Sequence, residues 1–256
     1  MSQVIYDLVI VGSGMFGSAA AYHASQISGK SVCLVGPPEP KNREDEDRDV
    51  FGSWYDEGRI CCQIGNSPTW AALAVRSMKR YRHLENESGI SFYNEVGFLS
   101  VLKTAEERKD AMNSVQDDGV KVHDVTKNWK SHFPFLNLPD DVYVLWEKDV
   151  SGHISPRKLL EAHQKVASRN GVRILPEIVS AISPVKSSQT TTHRWEILTE
   201  EGSELHTKSV LVCAGAYAGF KGLFQQVVPK KVPDLELRTQ TVAYLRIPEK
   251  EAEQLR

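Results

Sequence analysis

Residues 7–36, which read DLVIVGSGMFGSAAAYHASQISGKSVCLVG, constrain the fold more than any other stretch of the chain. They predict an apolar strand, a helix rich in small residues, and a second apolar strand over residues 31–35. Between the first strand and the helix lie Gly12, Gly14 and Gly17, in the spacing GxGxxG. In that spacing the first glycine allows a tight turn, the second lets the backbone approach a pyrophosphate, and the third lets the helix pack closely on the sheet. The pattern predicts a βαβ unit that binds a dinucleotide at the helix N-terminus.

The acid that usually follows the second strand of such a unit is missing. In dinucleotide sites an Asp or Glu about 20 residues after the glycines binds the ribose hydroxyls. This chain has Gly36 there, followed by Pro37 and Pro38, and the nearest acid is Glu39. The sequence leaves open whether the ribose contact comes from Glu39, from water or from the backbone.

Composition bounds the class of protein. The chain has 256 residues, 41% hydrophobic and 25% charged, which is ordinary for one large or two small globular domains. A net charge of −2 argues against a nucleic-acid surface, and no apolar run approaches the ~18 residues of a membrane span. The N-terminus lacks the layout of a secretion signal, and the terminal Gln-Leu-Arg is not a peroxisomal SKL-type address. We therefore expect a soluble, intracellular protein with no nucleic-acid or membrane partner.

The cysteines and histidines predict no metal site. Cys33 and Cys213 lie in apolar strands and are expected in the core, whereas Cys61 and Cys62 are adjacent and have no CxxC spacing. Ordinary packing is the preferred interpretation of the adjacent pair, and redox activity is the alternative. The eight histidines form no HxxxH or HExxH pair.

The rest of the chain alternates predicted helices and strands. Ser67-Pro68 and Ser155-Pro156 each pair an N-cap residue with a proline at the first helical position. They predict helices over residues 69–87 and 156–169, and a polar helix is predicted over 105–117. An apolar face of the first helix is formed by Trp70, Leu73, Ala74, Ser77, Tyr81 and Leu84. Charged residues 41–49 predict a surface loop. Strands are predicted within 91–102 and over 142–146, 172–175, 195–199, 205–207 and 209–213, with a hairpin around Glu201-Gly202.

Five motifs in register resemble the FAD-dependent D-amino-acid-oxidase-like enzymes. They are the glycine unit already described, Gly52-Ser53-x-x-x-x-Gly58-Arg59-Ile60, Gly97-Phe98-Leu99, Gly152-x-Ile154-x-Pro156, and the run from Val210 to Tyr217 that reads VLVCAGAY. Within that family the chain is most similar to monomeric sarcosine oxidase and its N-methyl-amino-acid and pipecolate oxidase relatives. The resemblance extends to Arg238-x-Gln240.

The resemblance implies an α/β fold in which a Rossmann-like FAD-binding domain is interleaved with an antiparallel-sheet substrate domain. The FAD-binding domain would comprise residues 1–90 and 150–228, and the substrate domain residues 91–149 and 229–256. We expect a monomer that lacks the C-terminal part of the family fold. Because relatives of this family are often peroxisomal, the expected location is the cytoplasm or the peroxisome. The resemblance makes Arg59 the catalytic residue, a positive charge beneath the flavin ring. It implies cofactor contacts from Gly12, Ser13, Gly14, Met15, Phe16, Gly17, Gly36, Ser53, Gly58, Arg59, Val179, Ala214 and Gly215.

By the same resemblance, the expected reaction is oxidation of the C–N bond of a secondary amine or N-methyl amino acid, with molecular oxygen reduced to hydrogen peroxide. The chain departs from the sarcosine-oxidase pattern at Cys62, where that pattern has a second arginine for the substrate carboxylate, and at Trp54-Tyr55, where it tends to have His-His. A carboxylate without that arginine is poorly held, so a larger or less acidic amine is expected. The alternatives are a truncated, non-catalytic nucleotide-binding product and an NAD-linked dehydrogenase.

Overall fold

The computed structural model describes residues 4–41, 49–65, 67–116, 119–185, 194–219, 222–223, 227, 236, 238 and 241–253. The chain divides into two compact units, each made of separate stretches of sequence. The first unit comprises Met1–Arg59, Arg82–Phe92 and Ile154–Glu236, and the second comprises Ile60–Tyr81, Tyr93–His153 and Leu237–Arg256. Residues 60–81 thus belong to the second unit. The division into a FAD-binding and a substrate domain at the predicted boundaries stays a prediction.

A four-stranded parallel sheet forms the centre of the first unit. Its order is β10-β3-β2-β14, and its strands are β2 (Leu8–Val11), β3 (Val32–Val35), β10 (Arg173–Leu175) and β14 (Val210–Val212). β3 is buried at every position, as continuous apolar runs in parallel sheets are. Helices α1 (Met15–Ser25) and α5 (Pro156–Arg169) pack against each other. The β2-α1-β3 order confirms the predicted βαβ unit.

A second sheet of this unit has the order β1-β13-β12-β11. β11 (Val179–Pro184), β12 (Trp195–Thr199) and β13 (Glu204–Thr207) are antiparallel neighbours, and β1 (Ile5–Tyr6) joins β13 in parallel. The predicted hairpin around Gly202 is confirmed, and Gly202 has the left-handed φ of +89° that such a turn requires. Ile182, Ile197 and Leu205 pack in one core with residues of the parallel sheet.

Two three-stranded sheets lie in the second unit, except that Arg59 and Ile154, which are terminal residues of strands in the first of these sheets, are assigned to the first unit. One has the order β4-β9-β5, with β4 (Arg59–Cys61), β5 (Tyr93–Glu95) and β9 (Gly152–Ile154). The other is antiparallel, with the order β6-β8-β7, and comprises β6 (Phe98–Leu102), β7 (His123–Asp124) and β8 (Tyr143–Glu147). Its helices are α3 (Ala105–Ser114), capped by a reciprocal Thr104–Glu107 box, and α4 (Trp129–His132).

Helix α2 (Pro68–Ser88) has the predicted bounds to within one residue at each end. The predicted apolar face is only partly the buried one, because Trp70 and Leu73 are 62% and 49% exposed. The buried stripe instead starts at Ala71 and continues through Val75 and Met78. This buried stripe is rotated by one residue, or about 100°, around the helix axis from the predicted face. Ala71 is buried, whereas its larger neighbour Trp70 is exposed.

The remaining described elements are a 3₁₀ turn at Gly215–Tyr217 and α6 (Glu249–Ala252). Most of the predicted charged loop and Gln240 lie outside the described residues. No helix among the described residues is long and apolar enough to cross a membrane.

Candidate dinucleotide-binding site

The glycine loop between β2 and α1 leaves no room for side chains at its first and last glycine. Gly12 has a φ of +105°, and a Cβ on it would lie 2.4 Å from the carbonyl oxygen of Cys213. A Cβ on Gly17 would lie 1.7 Å from the carbonyl oxygen of Gly12. A Cβ on Gly14 would meet only the Trp54 indole, at an ordinary 3.6 Å. Gly12 and Gly17 are therefore required by the fold, whereas Gly14 leaves the loop surface open.

The N-terminus of α1 has the properties of an anion site. Its N-cap, Gly14, forms no side-chain cap, and no acidic residue lies in the first turn. The first-turn N–H groups and the positive end of the helix dipole are therefore available to a phosphate. Phe16 lies in this turn and is 78% exposed. These features fit the pyrophosphate of a dinucleotide.

Side chains of α1 and α5 form hydrogen bonds that stabilise the backbone of the glycine loop. The Ser18 hydroxyl donates to the carbonyl of Ser13 at 2.9 Å, and the Gln164 amide donates to the same carbonyl at 3.2 Å and to Ser18 Oγ at 3.0 Å. The Ser13 hydroxyl donates to the carbonyl of Pro37 at 2.9 Å. These bonds fix the loop backbone independently of any ligand. Nothing in the sequence pattern pointed to Gln164.

The carboxyl end of β3 explains the missing acid. A Cβ on Gly36 would lie 2.4 Å from the Ser13 nitrogen, so no acidic side chain fits at this position. Glu39 accepts a two-pronged hydrogen bond from Arg157 on α5, at 2.7–3.0 Å. Arg157 also donates to the carbonyl of Tyr55 at 2.7 Å. The Glu39 carboxylate raises the pKa of Arg157 still further, so this side chain is a permanent cation.

Arg59 lies beside the glycine loop. Its Nη2 donates to the carbonyl of Ser53 and to Asp56 Oδ2, the latter at 2.7 Å, and its Nη1 lies 3.6 Å from the Met15 sulfur. Asp56 Oδ1 is buried and has no hydrogen-bond partner among the described residues. Gly58, just before Arg59, adopts a left-handed φ of +69°. The structure thus brings Ser53, Arg59 and Met15 together.

Trp54 covers part of the same loop. Its side chain is buried and makes an edge-to-face contact with the Tyr55 ring, with 4.7 Å between the ring centroids. The same side chain supplies the atoms nearest to a Cβ on Gly14. The same indole would clash with a Cβ on Gly52, at 2.4 Å from its nitrogen. Gly52 is therefore needed for Trp54 to fold over the loop.

The last three predicted contact residues lie apart in sequence. Ala214 and Gly215 lie just after the end of β14. A Cβ on Gly12 would lie 3.0 Å from the Ala214 nitrogen, so Ala214 lies against the glycine loop. Val179 begins β11, where its side chain packs against the core cluster that includes Leu175. The part of each residue in cofactor binding stays a prediction.

The cysteines do not supply a reactive thiolate. Burial raises the pKa of Cys61 and of Cys62 to about 11, so both thiols are protonated at neutral pH. Cys33 is fully buried in β3, as expected, whereas Cys213 is only half-buried. The ordinary packing interpretation fits the adjacent pair.

Comparison with known families agrees with this geometry. Residues 7–256 match the family described as FAD dependent oxidoreductase. The chain belongs to this FAD-dependent oxidoreductase family. FAD is the cofactor of the family, and the uncapped α1 terminus and glycine loop fit its pyrophosphate.

Relatives of this oxidoreductase include two kinds of amino-acid oxidase. It is 24% identical over 223 residues to the monomeric sarcosine oxidase of Arthrobacter sp. (strain TE1826), covering 83% of this chain and 52% of that protein. It is 24% identical over 215 residues to the N-methyl-L-tryptophan oxidase of Yersinia pestis (strain Pestoides F), covering 83% and 54%. The chain therefore spans about half the length of these relatives.

A solved structure shares the fold. The L-proline dehydrogenase of P. horikoshii superposes with a TM-score of 0.67 at 19% identity, covering 91% of this chain and 58% of that one. This likeness supports the Rossmann-like α/β architecture that the sequence predicted.

Proposed function

We propose that this FAD-dependent oxidoreductase oxidises the C–N bond of a secondary amine or N-methyl amino acid, as a monomer, with molecular oxygen as acceptor and hydrogen peroxide as product. The observation that carries the proposal is the glycine loop with its uncapped helix terminus beside Arg59. The names of the two relatives, which act on sarcosine and on N-methyl-L-tryptophan, support the substrate class.

The residues of this chain bind and orient the cofactor. The N–H groups at the start of α1 would hold the pyrophosphate, and Gly14 would allow it to approach the backbone. When bound, FAD supplies the redox chemistry by accepting two electrons from the amine. Arg59, oriented by Asp56 and the Ser53 carbonyl, would stabilise the negative charge of the reduced flavin.

The substrate differs from sarcosine in size or charge. Cys62 stands at the position that holds a second arginine in the sarcosine-oxidase pattern, and its raised pKa keeps the thiol neutral. A neutral thiol cannot form the charge-assisted bonds that hold a carboxylate. A larger or less acidic secondary amine is therefore the better candidate substrate.

The first experiment is the visible absorbance of the purified chain, before and after acid precipitation. We expect flavin bands that move to the supernatant, and we expect Gly14→Val to abolish them because its side chain blocks the pyrophosphate. Ser168→Val, which introduces the same side chain at an exposed position of α5, is the control and should keep the flavin bands. Stoichiometric FAD in a folded Gly14→Val protein would remove Gly14 from the site.

A second experiment isolates Arg59 without requiring the substrate. We expect Arg59→Ala to lower the reduction potential of bound flavin by about 30–60 mV, which for two electrons is roughly 1.4–2.8 kcal/mol. Arg59→Lys keeps the charge and should retain most of the potential. Equal potentials in the wild type and Arg59→Ala would show that Arg59 does not act on the flavin, whereas the visible bands test FAD binding independently.

A further inference from the structure

The hairpin of β12 and β13 brings three metal-ligating side chains to one face of its sheet. Glu204 and His206 are two residues apart on β13, and side chains two apart on a strand share a face. Glu196 on β12 is paired directly with His206 across the antiparallel ladder. The neighbouring pair, Ile197 and Leu205, faces the hydrophobic core, so the three polar residues lie on the other face.

The three groups are close enough to share one ion. A nitrogen of His206 and a carboxylate oxygen from each glutamate all lie within 4.8 Å of one another, and His206 Nε2 is 2.9 Å from Glu204 Oε1. Donor atoms about 2.1 Å from a tetrahedral zinc ion are about 3.4 Å apart. Side-chain rotations that shift these donor atoms by about 1 Å would therefore bring all three within coordination distance of one ion, without moving the strands.

Burial and charge favour a cation here. The His206 side chain is only 5% exposed, so the sheet holds its ring in place, whereas Glu204 is half-exposed and leaves an entry path for an ion. Two carboxylates and one imidazole offer the oxygen and nitrogen donors that a divalent transition-metal ion takes. A divalent ion would neutralise both carboxylates and replace the shared His206–Glu204 hydrogen bond.

We propose that Glu196, Glu204 and His206 bind a divalent transition-metal ion of the Zn²⁺ type, which ties β12 to β13. Imidazole nitrogen together with two carboxylate oxygens is a ligand set that suits Zn²⁺ and disfavours Ca²⁺, which takes oxygen ligands only. The site is independent of the glycine loop and of amine oxidation.

The test is titration of the tag-free, full chain with ZnCl₂ by calorimetry, together with thermal unfolding with and without a chelator. We expect one zinc ion per chain and a melting temperature that rises with zinc concentration. Glu204→Gln and Glu196→Gln should each weaken zinc binding at least about tenfold, because even groups that only support a metal ligand are worth about 10–100-fold. Glu161→Gln, at an exposed position on α5, is the control and should bind as the wild type does.

His206→Gln should also abolish zinc binding, and the two glutamate variants keep the test decisive if this variant fails to fold. Zinc affinity that is unchanged in both Glu204→Gln and Glu196→Gln would overturn the proposal, as would absence of zinc binding by the wild type. Co²⁺ provides an independent readout, because a thiolate-to-cobalt charge-transfer band would assign the ion to the cysteines and contradict the site.

Discussion

Glu147 is a buried carboxylate that holds the chain segment following β4, and its replacement should destabilise the second unit strongly. It is fully buried at the end of β8. Its Oε1 accepts from the backbone N–H of Ile64 at 2.9 Å, and its Oε2 accepts from the backbone N–H of Gln63 at 2.8 Å and from the Ser151 hydroxyl. Glu147→Gln keeps the shape of the side chain and changes one oxygen into a donor.

The cost of Glu147→Gln follows from these partners. In either orientation the amide nitrogen faces a backbone N–H, of Ile64 or of Gln63, which then loses its acceptor at about 1–3 kcal/mol. The Ser151 hydroxyl can rotate to accept instead, so it adds little. The remaining hydrogen bonds are no longer made to a charged acceptor, which weakens each by about 1 kcal/mol. Burying a neutral amide costs less than burying a carboxylate, and this difference offsets part of the loss. The net loss of unfolding free energy should be about 2–4 kcal/mol.

Urea unfolding monitored by tryptophan fluorescence measures this loss, because Trp129 and Trp146 lie in the same unit. Hydrogen exchange should show lower protection of the Gln63 and Ile64 amides specifically. The control, Glu161→Gln at an exposed helix position, should stay within about 0.5 kcal/mol of wild type. The reasoning is refuted if Glu147→Gln matches that control and the two amides keep their protection.

Two further predictions concern the first unit. Gly17→Ala should cost about 3 kcal/mol because its Cβ would lie 1.7 Å from the Gly12 carbonyl oxygen, whereas Gly14→Ala, 3.6 Å from Trp54, should fold normally. Equal melting temperatures of the two flavin-free variants would contradict this. The Nδ1 atom of His163 is buried and has no hydrogen-bond partner among the described residues, and burial lowers the pKa of this side chain from 6.5 to about 4. Because the unfolded chain then binds the extra proton, stability should fall by roughly 3 kcal/mol as pH drops from about 6.5 to about 4. His163→Leu should flatten that slope in urea titrations, and an unchanged slope would rule out His163 as its source.

The elements that could be predicted are those whose signals are local in sequence. The glycine spacing defines the β2-α1 turn because Gly12 and Gly17 meet within one loop. Ser155 caps α5 by accepting from the Lys158 N–H, as its position before a proline indicated. The bounds of α2 were predicted for the same reason, but not which of its faces is buried, since burial depends on what packs against the helix.

The site residues that sequence analysis missed depend on distant partners. Glu39 was a candidate from the sequence, but its partner Arg157 is 118 positions away and could not be predicted. The Glu196, Glu204 and His206 cluster depends on the register of β12 and β13, and a search for helical HxxxH spacing does not find it. A strand spacing of two residues, Glu-x-His, was visible in the sequence, but its third ligand was not.

The missing ribose acid shows how one local contact changes the arrangement of a site. The Ser13 backbone and hydroxyl occupy the space that a side chain at Gly36 would fill, and the same hydroxyl is fixed by the Pro37 carbonyl. An acid at Gly36 is thus excluded by the junction of β3 with the glycine loop, which remains a complete anion site. The first carboxylate beyond the prolines, Glu39, is held in place by the Arg157 guanidinium. Glu39 Oε1 accepts two of the hydrogen bonds from Arg157 and Oε2 accepts one, so Oε2 can still accept from a hydroxyl group.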